Sequence, residues 1–521
     1  MASQLLGTKS PDLLISESEA PERQMKRTLS AVDLTALGIG AIIGAGIFSL
    51  VGTASAGESF SSRLKTPLMN FITAWLSGSE VQLGRPGAGP ALIFSLIVAA
   101  IACAFAALCY AELASMIPVS GSAYTYAYAT LGEIFAWIIG WDLILEYAVG
   151  NMAVALSWSG YFIKLLYSLF GIKLPLWLVS DSTTATGLIQ SNSDSLQYYS
   201  STALPVVAGH QIAINLPALL IVLLLTVLLV YGIQESARAN TVAVIVKTVI
   251  LIFFIAFGAF YLNPTNWQPF NPNGFAGVMT GSAIIFFAFI GFDAISTTAE
   301  ETRNPQRDLP IGMIASLVIC TVIYILVAGV MTGLKKYTAF AGDAAPIATA
   351  IAVINKPWLE ALISAGALAG STSVLLVFQL GQPRIFMAMA RDGLLPQYFA
   401  KIHPRFRTPH ITTIWTGVIV GGVAMLTDIG SLADLTNIGT LFAFVLVCFG
   451  VIALRRTAPE RKRPFRVPFV PVFPILGALF CLGLMLSLPI ETWYRFFIWL
   501  AVGLIIYFGY GVRNSRLRAG K

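Results

Sequence analysis

Residues 38–48 read Gly38-Ile39-Gly40-Ala41-Ile42-Ile43-Gly44-Ala45-Gly46-Ile47-Phe48, with four glycines in nine positions, inside an apolar run over 32–55. Each glycine weakens a helix by about 1 kcal/mol relative to alanine. The run is apolar enough for a membrane and poorly suited to cross it as one continuous helix. A dinucleotide-binding loop would need a preceding strand and a soluble βαβ unit, and neither is present. Two readings stay open. The glycines pack helices closely through small residues, or the span is broken at mid-membrane, with Gly44 at the hinge. Unwound backbone there offers N–H and C=O groups to a zwitterionic ligand.

A second interrupted stretch lies in the run 278–299. Phe286-Phe287-Ala288-Phe289-Ile290-Gly291-Phe292-Asp293-Ala294-Ile295-Ser296 sets one glycine beside an acid at a corresponding depth. Paired with the first stretch, it is the pattern of an inverted repeat, spans 1–5 and 6–10, each half opening with a broken helix. Gly291 and Asp293 are then hinge or gate residues, and Asp293 either caps the broken helix or is structural.

The rest of the chain agrees with a membrane setting. Of 521 residues, 57% are hydrophobic and only 11% charged, against about a quarter charged in a soluble protein; mean hydropathy is +0.79. This excludes a soluble enzyme, a disordered chain and a disulfide scaffold. A net charge of +7 would suggest nucleic acid in a soluble protein; here the inner face of a lipid bilayer accounts for it, with no nucleic acid partner.

Apolar runs fall at 32–55, 89–115, 132–165, 213–232, 241–262, 278–299, 310–333, 358–383, 411–427, 434–454, 468–488 and 494–511. They predict an all-α polytopic protein of about twelve spans. With the N-terminus inside, 22 Lys and Arg fall on that side and 9 on the other, leaving Lys247 within a span. That bias places both termini in the cytoplasm. The first 31 residues are polar and carry no cleavable signal pattern, with Arg23, Lys26 and Arg27 before the first run. The predicted organisation is a cytoplasmic segment 1–31, a first repeat 32–262 with outer loops 56–88 and 166–212, a second repeat 278–454, two further helices in 468–511 and a cytoplasmic tail 512–521. Both loops are expected to cover the outer face. The first carries Gly57, Ser59, Ser61 and Ser62, and its apolar stretch 68–76 is too short to span and suits the membrane surface.

Lys247 is the sharpest single residue. It lies nine residues past Arg238, roughly 13 Å into the bilayer at 1.5 Å per residue, where a lysine costs about 2.5 kcal/mol or more. Burial disfavours its charged form, so it suits loading and unloading a proton; a fixed ion pair with a neighbouring acid is the other reading. Asp142 and Glu146 lie four apart on one face of the third span. They bond to neighbouring helices, or Glu146, the deeper, carries a proton or substrate role. Ser371, Thr372 and Ser373 bring hydroxyls to membrane depth, for Lys247 or for their own backbone.

Glu300, Glu301, Arg303, Arg307 and Asp308 crowd the inner end of the sixth span, as a latch or as a solvated loop. The run Arg461-Lys462-Arg463-Pro464-Phe465-Arg466 reads as a positive-inside anchor. The five cysteines sit in apolar runs, and His210, His403 and His410 in loops. No metal spacing, nucleophile–base pair or Walker motif occurs, so neither a cofactor, a metal, catalysis nor ATP drive is expected.

Taken in order, these motifs resemble the amino acid–polyamine–organocation superfamily, and within it the bacterial form of the cationic amino acid transporter family. The likeness covers about 30–513. It rests on Gly38 to Phe48, Pro118-Val119-Ser120-Gly121-Ser122-Ala123-Tyr124-Thr125-Tyr126, Trp141-Asp142-Leu143-Ile144-Leu145-Glu146-Tyr147, the run from Phe289 to Gly312 with Glu300-Glu301-Thr302-Arg303-Asn304-Pro305-Gln306, Ala390-Arg391-Asp392-Gly393-Leu394-Leu395-Pro396, and Arg463-Pro464-Phe465-Arg466-Val467-Pro468.

The resemblance implies a leucine-transporter-type 5+5 inverted repeat with discontinuous helices 1 and 6. It puts a substrate α-carboxylate on N–H groups near Ala45 and Gly46 and its α-amino group on carbonyls near Ile42, Phe287, Ala288 and Ile290. Lys247 matches the family's fifth-span lysine, which stands where sodium-coupled relatives bind an ion. Protons are thus the implied coupling ion, Gly40, Ser371, Thr372 and Ser373 lie around that site, and Glu146 matches the family's third-span acid. Ala45 stands where close relatives often carry Thr. Phe378 stands where relatives vary between small residues and Met, and a ring there favours small neutral substrates over arginine, with Gln379 beside it as a polar offset. The expected function is a proton-coupled amino acid symporter of a bacterial inner membrane, taking up small neutral or broad-range L-amino acids. An amino acid or polyamine exchanger and a non-transporting amino acid sensor are the alternatives.

Overall fold

The computed structural model describes residues 7–18, 27–58, 62–119, 122–190, 194–207, 209–231, 237–404 and 408–517. Arg23, Lys26, Ser59, Ser61, Ser120 and Gly121 lie outside the described residues. The helices used below are α1 (Pro11–Ser18), α2 (Ala31–Ile42), α3 (Gly46–Ala56), α4 (Leu68–Ser77), α5 (Leu92–Met116), α6 (Ser122–Thr130), α7 (Glu133–Phe170) and α8 (Leu216–Val230). They continue with α9 (Ala237–Gly258), α10 (Gly274–Ile285), α11 (Pro305–Leu334), α12 (Pro357–Arg391), α13 (His410–Ala424), α14 (Ile429–Thr457), α15 (Val472–Leu486) and α16 (Ile490–Ile506).

Among the described residues, eight helices are long and apolar enough to cross a membrane, or nine when α2 and α3 count as one broken span. The chain is thus an integral membrane protein of helical architecture. Three further apolar helices, α8, α13 and α15, have 15 residues each and fall where the sequence predicts the fourth, ninth and eleventh spans. Burial ranks the bundle. The apolar windows of α7 and of 274–301 are each 83% buried, whereas that of 490–514 is 22% buried. The broken sixth segment and α7 therefore form the centre, and the last helix faces outward.

Local sequence sets the ends of these elements. Ser30 and Asp33 form a reciprocal capping box at the start of α2. α7 starts after Gly132 and stops at Gly171, which is left-handed at φ +66°. It runs 38 residues without interruption, past the predicted end at 165 into the expected loop. The loop 166–212 also contains the short helices Leu176–Val179 and Ser182–Gln190. With the segment 338–344 it contributes to the walls of a partly open cavity of about 520 Å³ lined by Lys164, Asp181, Tyr198, Asp343 and Asp428, among others.

The loop 56–88 is equally ordered where described. Gly57–Glu58 pairs antiparallel with Arg85–Pro86. The Arg85 guanidinium makes two 2.8 Å bonds to Asp434 at the start of α14 and one of 3.1 Å to Glu58. Helix α4 exposes Trp75 and Leu76, as a helix on a membrane surface would. Its start is tied to the α15–α16 turn, Leu68 N–H donating to the Leu488 carbonyl at 3.1 Å.

At the other face the two ends of the chain meet at Glu133. Its N–H donates to the Gly7 carbonyl at 3.1 Å, and its carboxylate accepts from Tyr507 at 2.9 Å and from Ser515. The charged run after the sixth segment is held through backbone. Thr28 and Leu29 N–H both donate to the Glu301 carbonyl, at 2.8 and 3.0 Å. The basic run is partly spent on protein: Arg461 pairs with Asp12 at 2.8 Å, and Arg463 donates to the Ala458 carbonyl at 2.8 Å beyond the end of α14.

Candidate substrate and coupling site

The glycine-rich stretch breaks. α2 ends at Ile42; Ile43 is extended at φ −72°, ψ 98°, and α3 begins at Gly46 at a 42° bend. Breaking a helix leaves carbonyls of the first part and N–H groups of the second without helical partners. Ile43 N–H still reaches the Ile39 carbonyl at 3.0 Å. The Lys247 ammonium serves two of the next carbonyls, donating to Ile43 O at 2.8 Å and to Gly40 O. Lys247 is fully buried. A positive charge at the C-terminal end of α2 also meets the negative end of its dipole.

The sixth segment is interrupted too. α10 gives way to a tight turn over Phe286–Phe289; Ile290 is extended, Gly291 has φ +122°, and a 3₁₀ run follows over Phe292–Glu301. Only glycine accepts that φ cheaply. Asp293 Oδ1 accepts the Gly291 N–H at 3.3 Å and so braces the turn. The two breaks interlock. A Cβ on Gly46 would collide with the Ala288 backbone, and one on Gly291 would lie 2.9 Å from the Ala41 carbonyl group.

Tyr324 of α11 joins them. Its hydroxyl lies 2.9 Å from the Ile42 carbonyl and 3.0 Å from that of Ala288. One hydroxyl carries one hydrogen and cannot fully satisfy two acceptors, so this pair of carbonyls keeps capacity for an ammonium group. Of the other carbonyls expected to meet a substrate amine, that of Phe287 accepts the Ile290 N–H at 3.3 Å. The sequence reading missed Tyr324; its signal was the one tyrosine within the apolar run 310–333.

α12 lies along this site. A Cβ on Gly370 would touch the Lys247 stem at 3.1 and 3.2 Å. Ser371 is fully buried and Ser373 is 5% exposed. Thr372 turns to the third span, accepting the Trp158 indole N–H at 3.0 Å and donating to the Leu368 carbonyl at 2.8 Å, rather than to Lys247. Phe378 also packs on α7, edge-on to Tyr147 with ring centres 5.6 Å apart and against Gly150. Gln379 points to α8, donating to the Val222 carbonyl at 3.1 Å. Glu146 is 5% exposed. Asp142 sits against Gly439 of α14. All five cysteines are buried thiols, and no His, Cys, Asp and Glu cluster fit for a metal occurs among the described residues.

The family model for amino acid permeases matches residues 29–508. The chain is 45% identical to the branched-chain amino acid permease BcaP of Bacillus subtilis (strain 168), over 95% of each chain. It is 42% identical to the methylthioribose transporter of the same organism, over 99% of each. It is 36% identical to the vacuolar cationic amino acid transporter 4 of Arabidopsis thaliana, over 84% of this chain and 64% of that one. These relatives are transporters, not enzymes. A helical membrane protein with two interlocked broken segments and a buried lysine on carbonyls of the first, this chain belongs to the amino acid permease family.

Proposed function

We propose that the protein is a proton-coupled symporter that takes up small neutral L-amino acids across a bacterial inner membrane, with both termini in the cytoplasm. The observation that carries it is the Lys247 ammonium on the Gly40 and Ile43 carbonyls. On this reading the architecture is twelve spans in two inverted repeats, 32–262 and 278–454, with 468–511 outside them. The three 15-residue apolar helices supply the spans beyond the nine that length alone identifies, and the 22-to-9 split of Lys and Arg supplies the orientation.

The substrate carboxylate takes the N–H groups of Ala45, Gly46 and Ile47, where the start of α3 leaves donors and a positive dipole end. The substrate ammonium takes the Ile42 and Ala288 carbonyls that now share Tyr324. Substrate and Lys247 thus act on one and the same break. A protonated Lys247 holds the end of α2 in place; the neutral amine loses the charge–dipole attraction and loosens it. Proton and substrate bias the same two-state element, which is the physical content of coupling. Glu146 of the third span is the carboxyl group that shares the proton-coupling role, and Asp293 braces the hinge at Gly291.

The apolar surroundings, with Ala45 in place of a hydroxyl residue and Phe378 on the α12 face, favour small neutral side chains. The name of the B. subtilis BcaP relative, a branched-chain amino acid permease, supports that class. The test is uptake of labelled alanine into sodium-free proteoliposomes with an inward pH gradient, then with the gradient collapsed. Accumulation that vanishes with the gradient is the expected result. Uptake that needs internal amino acid and ignores the gradient would establish exchange instead, and binding without flux a sensor. Competition by methylthioribose but by no amino acid would move the substrate to the class named for the second relative.

A further inference from the structure

We propose that the segment leading into α15 binds an anionic phospholipid, with Lys462 and Arg466 on the headgroup phosphate and Phe469 at the start of the acyl chains. Such a site requires only that the chain spans a membrane, whatever it transports; in the orientation above it faces the cytoplasmic leaflet. The basic run after α14 divides into two sets. Arg461 pairs with Asp12 of α1 at 2.8 Å. Arg463 donates to the Ala458, Pro459 and Arg461 carbonyls at 2.8, 2.9 and 2.8 Å. Just before the run, Arg455 donates to both oxygens of Glu112 of α5, at 3.0 and 2.6 Å. These three cations are spent inside the protein. Lys462 and Arg466 are exposed, and neither has a hydrogen bond or ion pair among the described residues.

The backbone that carries the two free cations is fixed. Phe465 N–H donates to the Ser115 hydroxyl at 3.4 Å, and Val467 N–H donates to the Glu112 carboxylate at 2.7 Å. Arg466 stands between these two bonds with its side chain exposed. A disordered basic tail must be ordered when it binds; cations on a fixed frame avoid most of that cost. Glu460 is the only acid in 455–472, so the surface is net positive. Three residues past Arg466, Phe469 is 75% exposed at φ +49°, a left-handed backbone that a bulky residue adopts only at a cost. On one face of α15 the exposed side chains of Val472, Ile475, Leu479 and Leu482 follow. Cations thus lead into an apolar stripe, in the order in which a headgroup phosphate leads into acyl chains. A zwitterionic headgroup brings its own cation and answers Lys462 and Arg466 less well than an anionic one.

The test uses the full chain, delipidated in detergent and titrated with phosphatidylglycerol or phosphatidylcholine, with bound lipid counted by native mass spectrometry. The variants are Lys462→Gln with Arg466→Gln, Phe469→Gly, and Lys336→Gln, an exposed lysine just past the end of α11. Wild type is expected to retain phosphatidylglycerol over phosphatidylcholine. Each cation near an anionic surface contributes roughly a factor of five, so the double variant is expected to lose about twentyfold in phosphatidylglycerol affinity. Lys336→Gln is expected to bind as wild type does. Glycine accepts φ +49° without cost, so Phe469→Gly is expected to melt no lower than wild type and still to retain less of both lipids. Unchanged phosphatidylglycerol affinity in the double variant overturns the site, as does equal retention of the two lipids by wild type. A melting temperature that falls in the lipid-free double variant would make the two cations structural and overturn it as well. Displacement of phosphatidylglycerol by inorganic phosphate would reassign the site to a free anion and overturn the lipid. None of these outcomes depends on alanine uptake, so this site and the transport reading fail separately.

Discussion

Lys164 and Lys247 are both buried inside helices of the bundle, and they are held in different ways. Lys164 donates to both oxygens of Asp343, at 2.8 and 3.0 Å, to the Ala345 carbonyl at 2.8 Å and to the Thr349 hydroxyl. It pins α7 to the segment that follows α11. Lys247 donates to the Gly40 and Ile43 carbonyls of a broken helix. The first contact joins two full charges, so losing either partner strands the other in a low dielectric. The second joins a charge to helix-end dipoles, and neutralising the lysine strands no opposite charge on those two carbonyls. One contact is built to persist; the other is suited to change with protonation.

The acid side of the Lys164 pair supports this. Burial raises the Asp343 carboxyl, but the Lys164 ammonium and hydrogen bonds from Lys164, Thr349 and the Ala345 N–H more than offset it, leaving it below its ordinary range. A depressed carboxyl stabilises the folded protein above its unfolded value and loses that contribution only as pH falls through the lower folded value. The Asp343 carboxylate therefore stays ionised between about pH 5 and 8. Transport that varies with pH in that window draws on other groups, with Lys247 first.

The comparison can be broken most directly at Lys164. Lys164→Met is expected to cost about 3–5 kcal/mol, as for other buried pairs that lose one partner, read as a fall in melting temperature in detergent. The double change Lys164→Met with Asp343→Leu is expected to recover most of it. A single variant that melts like wild type would remove the contrast. Lys247→Met is expected to keep the fold and lose gradient-driven accumulation by at least about tenfold, a coupling of about 1.4 kcal/mol. Accumulation at the wild-type level by this variant would refute its coupling role.

Smaller effects sharpen the picture around the break. Gly291→Ala is expected to cost about 1–3 kcal/mol through its φ of +122° and the collision with Ala41, measured by denaturation alongside uptake. A variant of wild-type stability would mean that the sixth segment relaxes freely. Tyr324→Phe removes one hydroxyl shared by two carbonyls and is expected to cost about 1 kcal/mol, with a larger effect on apparent substrate affinity than on melting. Equal loss in both would make Tyr324 purely structural.

Much of this was legible in the sequence because single residues carry it. Four glycines in an apolar run predict trouble for a helix, and the break lies where they do. A lysine nine residues beyond an arginine in such a run predicts a buried amine. The partners were not legible. Nothing local says that Lys247 meets the Gly40 and Ile43 carbonyls, some two hundred residues away, or that Thr372 turns to Trp158. The family resemblance puts Phe378 at the substrate side chain; that its ring lies against Tyr147 and Gly150 depends on the packing of α7 on α12. Arg85 was counted only as a charge on the outer side, yet it is buried against Asp434.

The sequence by itself determined that this chain lives in a bilayer, where its apolar runs lie, and that two of them carry residues ill suited to a continuous helix. Hydropathy and glycine placement act over one or two turns and need no partner. Only the tertiary structure decided which carbonyls hold Lys247, that Tyr324 joins the two breaks, and that Arg85 of the segment 56–88 is buried against Asp434. Those outcomes depend on which helices lie side by side. Close packing and the need to satisfy each buried polar group select among neighbours, and a sequence pattern carries that information only in sum.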